Sequence, residues 1–174
     1  MSALKDKVVI VTGGSSGIGR AAALRFAEAG ATVVITGRRA AALDEAAGDH
    51  RNISTVVADA ASPDDAARTV AKAVKAYGRL DVLVNNAGAG AILPLTNATA
   101  ERIHSIFAVN VLGASLLATA ALPHLAQSKG AIVNVSSTYG QKPVAGLSHY
   151  AASKAALEHL TAAGPWSWPR RGCA

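Results

Sequence analysis

Short β-branched runs alternate along this chain with segments whose apolar residues recur every three or four positions. Residues 7–12 contain Val-Val-Ile-Val, a continuous apolar run of the kind that is covered on both faces inside a parallel sheet. Glycines follow at once. Ile18, Ala22, Leu24, Phe26 and Ala27 then mark a helix over 17–29, closed by Gly30. The alternation continues with a strand at 31–36, a helix at 40–47, a strand at 53–58, a helix at 63–77 begun by Ser62-Pro63, and a strand at 80–84. A long helical stretch over 99–126, bent near Gly113, leads to a strand at 131–136 and a last helix from Tyr150. Pro165 is expected to stop that helix early. Strand–helix alternation of this period, unbroken by any low-complexity linker, predicts one doubly wound α/β domain: a parallel sheet flanked by helices.

Composition narrows the function classes. The chain has 174 residues, 51% hydrophobic and 16% charged, enough apolar material for the core of one globular domain. Its formal charge of +6 comes from scattered Lys and Arg, and aromatic residues make up only 4%. Neither a basic stripe nor interleaved stacking residues are present, so no nucleic-acid partner is expected, and an anionic cofactor fits the charge better. The sole cysteine, Cys173, excludes an intrachain disulfide. The start of the chain lacks a signal-peptide pattern, and Ser115, Pro123 and His124 interrupt the most apolar stretch. No membrane span is read, and a cytoplasmic protein is expected. The five histidines show no metal-ligand spacing, so no metal is expected.

Candidate chemistry lies at the ends of the predicted strands. Directly after the first strand stands Thr12-Gly13-Gly14-Ser15-Ser16-Gly17-Ile18-Gly19, a glycine-rich turn entering a helix. Such a turn lets backbone approach a ligand closely, while free N–H groups and the helix dipole attract pyrophosphate. On the last helix, Tyr150 and Lys154 are four residues apart and share a face. A cation beside a phenol stabilises its anionic form and moves it toward general acid–base work. Taken singly, each feature has an ordinary reading: a plain turn, an exposed Tyr–Lys pair, a helix amide at Asn110, a strand-end turn at Ser136-Ser137.

Taken in order, the motifs Thr12-Gly13-x-x-x-Gly17-x-Gly19, Asn85-Asn86-Ala87-Gly88, Asn110, Ser137 and Tyr150-x-x-x-Lys154 closely resemble the short-chain dehydrogenase/reductase family. The resemblance covers about residues 5–161 and implies a Rossmann-type fold and hydride transfer between a nicotinamide dinucleotide and a ketone or secondary alcohol. It assigns Asn110, Ser137, Tyr150 and Lys154 to catalysis. Tyr150 would exchange a proton with the substrate oxygen, Ser137 would bond that oxygen, Lys154 would also hold the nicotinamide ribose, and Asn110 would anchor a water linked to the lysine. Ser137 is preferred to Ser136 because it lies thirteen residues before Tyr150, as in the family. Gly13, Ser15, Ser16, Gly17, Ile18, Gly19, Asn86 and Gly88 become cofactor contacts, joined by Tyr150 and Lys154. A homo-oligomer, as in intact relatives, is expected through the long helix and the Tyr150 helix.

The corner after the second strand reads Gly37-Arg38-Arg39. A carboxylate there would bind the ribose hydroxyls of NAD, whereas an arginine favours the 2′-phosphate of NADP. NADP(H) is therefore preferred to NAD(H), with Arg38 as the phosphate contact. The alternative is a pair of solvated arginines, and Ser16 stands where many NADP-preferring relatives place a second cation. Asp59, after the third strand, matches the family's adenine-binding aspartate.

The end of the chain departs from the resemblance. Family members continue past the Tyr–Lys helix into two further strands and a substrate-binding segment. Here residues 1–162 read as an incomplete domain and 163–174 as an atypical tail. A shifted reading frame over Pro165–Pro169, which would otherwise encode Leu-Glu-Leu-Ala, is one explanation; a natural short tail is the other. Either would leave the fifth strand at an open sheet edge.

Overall fold

A computed structural model describes residues 3–90 and 92–167. Five parallel strands form one sheet: β1 (Val8–Thr12), β2 (Thr32–Gly37), β3 (Ile53–Val57), β4 (Val82–Asn85) and β5 (Ala131–Asn134), in the order β3-β2-β1-β4-β5. The helices are α1 (Gly17–Glu28), α2 (Ala40–Ala47), α3 (Pro63–Tyr77), α4 (Ala100–Phe107), α5 (Ala114–Ser128) and α6 (Ser148–Ser167). This is the doubly wound, Rossmann-type arrangement expected from the alternation. The order reverses between β1 and β4, the place where open α/β sheets hold ligands beyond their strand ends.

Alternation along β1 divides the core. Val8 and Ile10 face one side, with Ala66, Val70 and Ala73 of α3 and Leu117, Ala121 and Leu125 of α5. Val9 and Val11 face the other, with Ala23 and Ala27 of α1 and Leu43, Ala46 and Ala47 of α2. Successive strand residues point to opposite faces, so a run apolar at every position requires helices on both. At the opposite end from the site, buried Asp81 accepts the Val8 N–H (3.0 Å) and bonds from Arg79 (2.8 and 2.6 Å) and Lys7 (3.1 Å).

The expected long bent helix is corrected in one respect. It is α4, then a π-helical stretch at Ala108–Gly113, then α5. Gly113 ends the wide turn where the chain crosses Ala60 so closely that a Cβ would stand 2.1 Å from the Ala60 carbonyl oxygen. By length and composition alone, Ala100–Ser128 could cross a membrane, but Leu117, Ala121 and Leu125 are packed in the core.

The last helix also differs from expectation. It begins at Ser148 rather than Tyr150 and runs past Pro165 to Ser167. The tail beyond Ser167, with Cys173, lies outside the described residues. Among the described residues β5 pairs only with β4 and lies at the edge of the sheet, with Val133 47% exposed.

Candidate active site and cofactor cradle

Thr12, the last residue of β1, joins the two halves of the strand-end crevice. Its hydroxyl oxygen accepts the N–H groups of Asn86 and Ala87, each at 2.9 Å. The Asn86 side-chain amide donates in return to the carbonyls of Thr12 (2.9 Å) and Gly13 (3.3 Å). Asn86 thereby shapes the loop from behind through its own side chain. Gly13 and Gly17 have φ of +64° and +53°, in the left-handed region that favours glycine.

The N-terminus of α1 is drawn tightly against this loop. A Cβ on Gly19 would lie 2.3 Å from the Gly13 carbonyl oxygen and 2.4 Å from Asn86 Nδ2, whereas one on Gly17 would meet nothing within 4 Å. Ser16 occupies the N-cap position, yet its hydroxyl caps no amide. The first-turn N–H groups are therefore left for an external acceptor. A backbone cradle with open space over Gly17 and unpaired amides beneath it fits a pyrophosphate. Ile18 lies exposed beside it.

The adenosine side of the crevice has its own polar groups. Ser15 Oγ lies 3.5 Å from the position a Gly37 Cβ would take, so the glycine turn reaches the end of β2 just before Arg38. Among the described residues Arg38 and Arg39 are exposed and form no ion pair. Asp59 is exposed, and one of its carboxylate oxygens accepts the Ala61 N–H at 2.9 Å. Its own N–H donates to Asp65 at 2.7 Å, and that bond, followed by the Arg68 contact, holds the Asp65 carboxyl below its ordinary range. Thr12, Asp59, Asp65, Asn85 and Ala87 line a small cleft here. Buried Asn85 Oδ1, on that lining, has no hydrogen-bond partner among the described residues.

At the other end, α6 carries the acid–base candidates. Lys154 is only 4% exposed, and burial pushes its ammonium below the ordinary lysine range. Its Nζ donates to the Val135 carbonyl at 2.8 Å and lies 5.9 Å from the centre of the Tyr150 ring. The Tyr150 ring packs near Gly90, 3.6 Å from where a Cβ would stand, and its hydroxyl has no partner among the described residues. Gly88 lies where a Cβ would approach Asn110 Oδ1 (3.5 Å) and Lys154 Nζ (3.7 Å). Gly88, Asn110, Tyr150 and Lys154 thus form one cluster.

Asn110 sits in the π-helical stretch, fully buried. Its Nδ2 donates to the Ala89 carbonyl and Ser153 Oγ, each at 2.9 Å, and its Oδ1 accepts the Ala89 N–H at 2.7 Å. Both side-chain donors are therefore engaged, and the amide's visible work is to join the loop after β4 to α6. Ser137 is half-buried, its hydroxyl accepting the Tyr139 N–H at 3.3 Å. Ser136 is committed elsewhere, donating to Glu158 at 2.6 Å.

Sequence reasoning placed Thr12 in the glycine motif but gave no site role to it, to Ser153 or to Glu158. Thr12 carried a signal, since a hydroxyl between a buried strand and a glycine turn has backbone amides within reach. Ser153 carried another: a small polar residue one turn after Tyr150 faces the same neighbour. Glu158 looked like any solvated helix carboxylate. Among the described residues no group of three His, Cys, Asp or Glu side chains is placed to hold a metal.

Comparison with known proteins agrees with this geometry. The family model described as short chain dehydrogenase matches residues 7–171. The chain is 40% identical over 169 residues to an uncharacterized oxidoreductase of Mycobacterium tuberculosis, covering 92% of this chain and 64% of that protein. It is 42% identical over 160 residues to 11-beta-hydroxysteroid dehydrogenase 1A of Arabidopsis thaliana, covering 88% and 46%. It therefore spans between about half and two thirds of these relatives' lengths. The crystal structure of a short chain dehydrogenase from Mycobacterium smegmatis superposes with a TM-score of 0.91 at 33% identity, over 97% of this chain and 73% of that one. On its glycine cradle, its strand order and these matches, the chain belongs to the short-chain dehydrogenase family.

Proposed function

We propose that this protein is an NADP(H)-linked oxidoreductase that interconverts a small-molecule ketone and secondary alcohol. The observation carrying this reading is Tyr150. Among the described residues its phenol has no partner, and it stands near a buried Lys154, anchored to the backbone leaving β5, beside the same β1/β4 crevice that holds the phosphate cradle.

Gly13 to Gly19 would hold the pyrophosphate, Asp59 the adenine and Arg38 the 2′-phosphate. When bound, the dinucleotide supplies or accepts the hydride. The chain's own residues handle the proton and the geometry. Tyr150 gives a proton to the carbonyl oxygen, or takes one from the alcohol, and Ser137 donates a hydrogen bond to that oxygen. Lys154 favours the phenolate electrostatically and presents remaining N–H donors to a ribose hydroxyl. Asn110 holds the Ala89 loop and Ser153 in register, so that Tyr150 stays aimed at the crevice. Exposed Leu112 and Leu160, on the π-helical stretch and α6, support a homo-oligomeric contact through those elements.

A second reading, a dinucleotide-binding protein without turnover, is favoured by the cradle itself, whose glycine turn and uncapped first helical turn are formed independently of the Tyr150 cluster. Titration of the purified chain with NADPH and NADH, followed by a panel of carbonyl compounds, separates the two. Saturable NADPH binding, weakened at least about tenfold by Arg38→Ala with NADH unaffected, supports the NADP preference. Equal effects on both cofactors would refute it. Turnover of any carbonyl selects the enzyme, and binding without turnover selects the second reading.

A further inference from the structure

We infer that Glu158, a residue outside the Asn-Ser-Tyr-Lys set, is a positioning residue that sets the catalytic serine, Ser137, against the helix bearing Tyr150 and Lys154. The inference rests on the oxidoreductase reading above.

The segment around Ser137 is fastened to α6 on both sides, and Glu158 takes part in both fastenings. Before Ser137, the Ser136 hydroxyl donates to Glu158 Oε1 at 2.6 Å. After it, the short turn Thr138–Gly140 rests on the same side chain: a Cβ on Gly140 would lie 2.6 Å from Glu158 Oε1 and 3.2 Å from the Ala155 nitrogen. A side chain at Gly140 would push the Glu158 carboxylate aside and crowd the Ala155 nitrogen.

Neighbouring contacts make the attachment continuous. Lys154, one helical turn before Glu158, donates to the Val135 carbonyl at 2.8 Å. Thr161, three residues after it, accepts from Asn134 Nδ2 at 2.8 Å. Asn134 and Ser136 are two apart on an extended chain and so present side chains to one side, while Lys154, Glu158 and Thr161 line one helix face. Ser137 has extended backbone angles, φ −153° and ψ 150°, which put its side chain on the opposite side from Ser136. Ser136 therefore holds the helix while Ser137 is left for chemistry, and the tandem serine divides two tasks.

Such positioning matters because a reacting group misplaced by about 1 Å can cost roughly a hundredfold in rate. The test uses the full chain and three variants, Ser136→Ala, Glu158→Leu and Glu158→Gln, whose amide oxygen still accepts the Ser136 hydroxyl. Glu158→Leu and Ser136→Ala are expected to lower kcat for carbonyl reduction about tenfold or more while the NADPH Kd holds. Glu158→Gln is expected to recover most of the loss. Amide hydrogen exchange over 137–141 should accelerate in Glu158→Leu, return in Glu158→Gln, and stay unchanged over 8–12.

A Glu158→Leu variant with parental kcat and parental exchange overturns the inference. So does a Gln variant no better than Leu, or a loss in which NADPH affinity and exchange over 8–12 deteriorate together. A parent that binds NADPH but reduces no carbonyl removes the enzyme reading instead, and exchange over 137–141 then decides alone: acceleration reversed by Gln keeps the clamp, and unchanged exchange removes it.

Discussion

Lys154 Nζ is bonded to the Val135 carbonyl at 2.8 Å while it stands 5.9 Å from the centre of the Tyr150 ring. The ammonium is placed by the backbone leaving β5 rather than by the phenol, so its position persists whatever Tyr150 does. Its burial has a consequence for pH. Burial lowers the Lys154 pKa in the folded chain, while the unfolded chain keeps its proton up to about 10.4. Across the window just below that value the unfolded state binds more protons, so this group's contribution to stability improves as pH rises. Denaturant titrations of the parent and Lys154→Met should show the difference moving in the parent's favour from about pH 8 to 10. A flat or opposite trend would contradict the buried, charged lysine.

Tyr150→Phe removes a hydroxyl that bonds nothing among the described residues. Stability should change by less than about 0.5 kcal/mol. Carbonyl reduction should fall by about a hundredfold or more, since the proton donor is gone. NADPH titration should remain near parental, and a large loss of fold stability would mean that the phenol has a structural partner.

The cradle glycines should not respond alike. Gly19→Ala drives a methyl group into the Gly13 carbonyl and the Asn86 amide, and should cost about 1–3 kcal/mol and abolish saturable NADPH binding. Gly17→Ala meets open space and incurs only the left-handed backbone strain, about 1–2 kcal/mol. Parallel NADPH titrations distinguish them, and a Gly19→Ala variant that keeps parental saturable NADPH binding would count against the close approach at Gly19.

Asp81 supplies an acid-side counterpart. Burial raises its pKa, but bonds from Arg79, the Val8 N–H and Lys7 outweigh that effect, and the carboxyl is held below its usual range. A lowered folded pKa gives stability that is present above the unfolded value of about 3.9 and lost as pH falls through the folded one. Asp81→Asn should destabilise the chain by about 1–3 kcal/mol at neutral pH, and the gap should close on acidification below about pH 4. A gap independent of pH would assign the effect to packing.

The sheet was legible because β1 is apolar at four consecutive positions, a pattern that only two-sided burial explains, and because glycines mark the following turns. The site was legible where chemistry and spacing coincide, as at Tyr150 and Lys154. The π-helical stretch was not, since one extra residue in a turn hardly alters an apolar periodicity of three and four. Glu158 was hidden for another reason. Its partners Ser136 and Gly140 are separated from it by eighteen or more residues, and nothing local distinguishes it from a carboxylate facing water.

The wide turn at Ala108–Gly113 changes what one continuous rod can do. A regular α-helix advances about 100° per residue, so an added residue shifts everything after it out of phase with everything before. α4 packs against α6, whereas α5 packs against α3 and the sheet. Asn110 lies inside the phase change. A single-residue deletion there would leave both helical segments long and apolar, yet make them compete for one azimuth, and the joint between loop and acid–base helix would be the first thing misaligned.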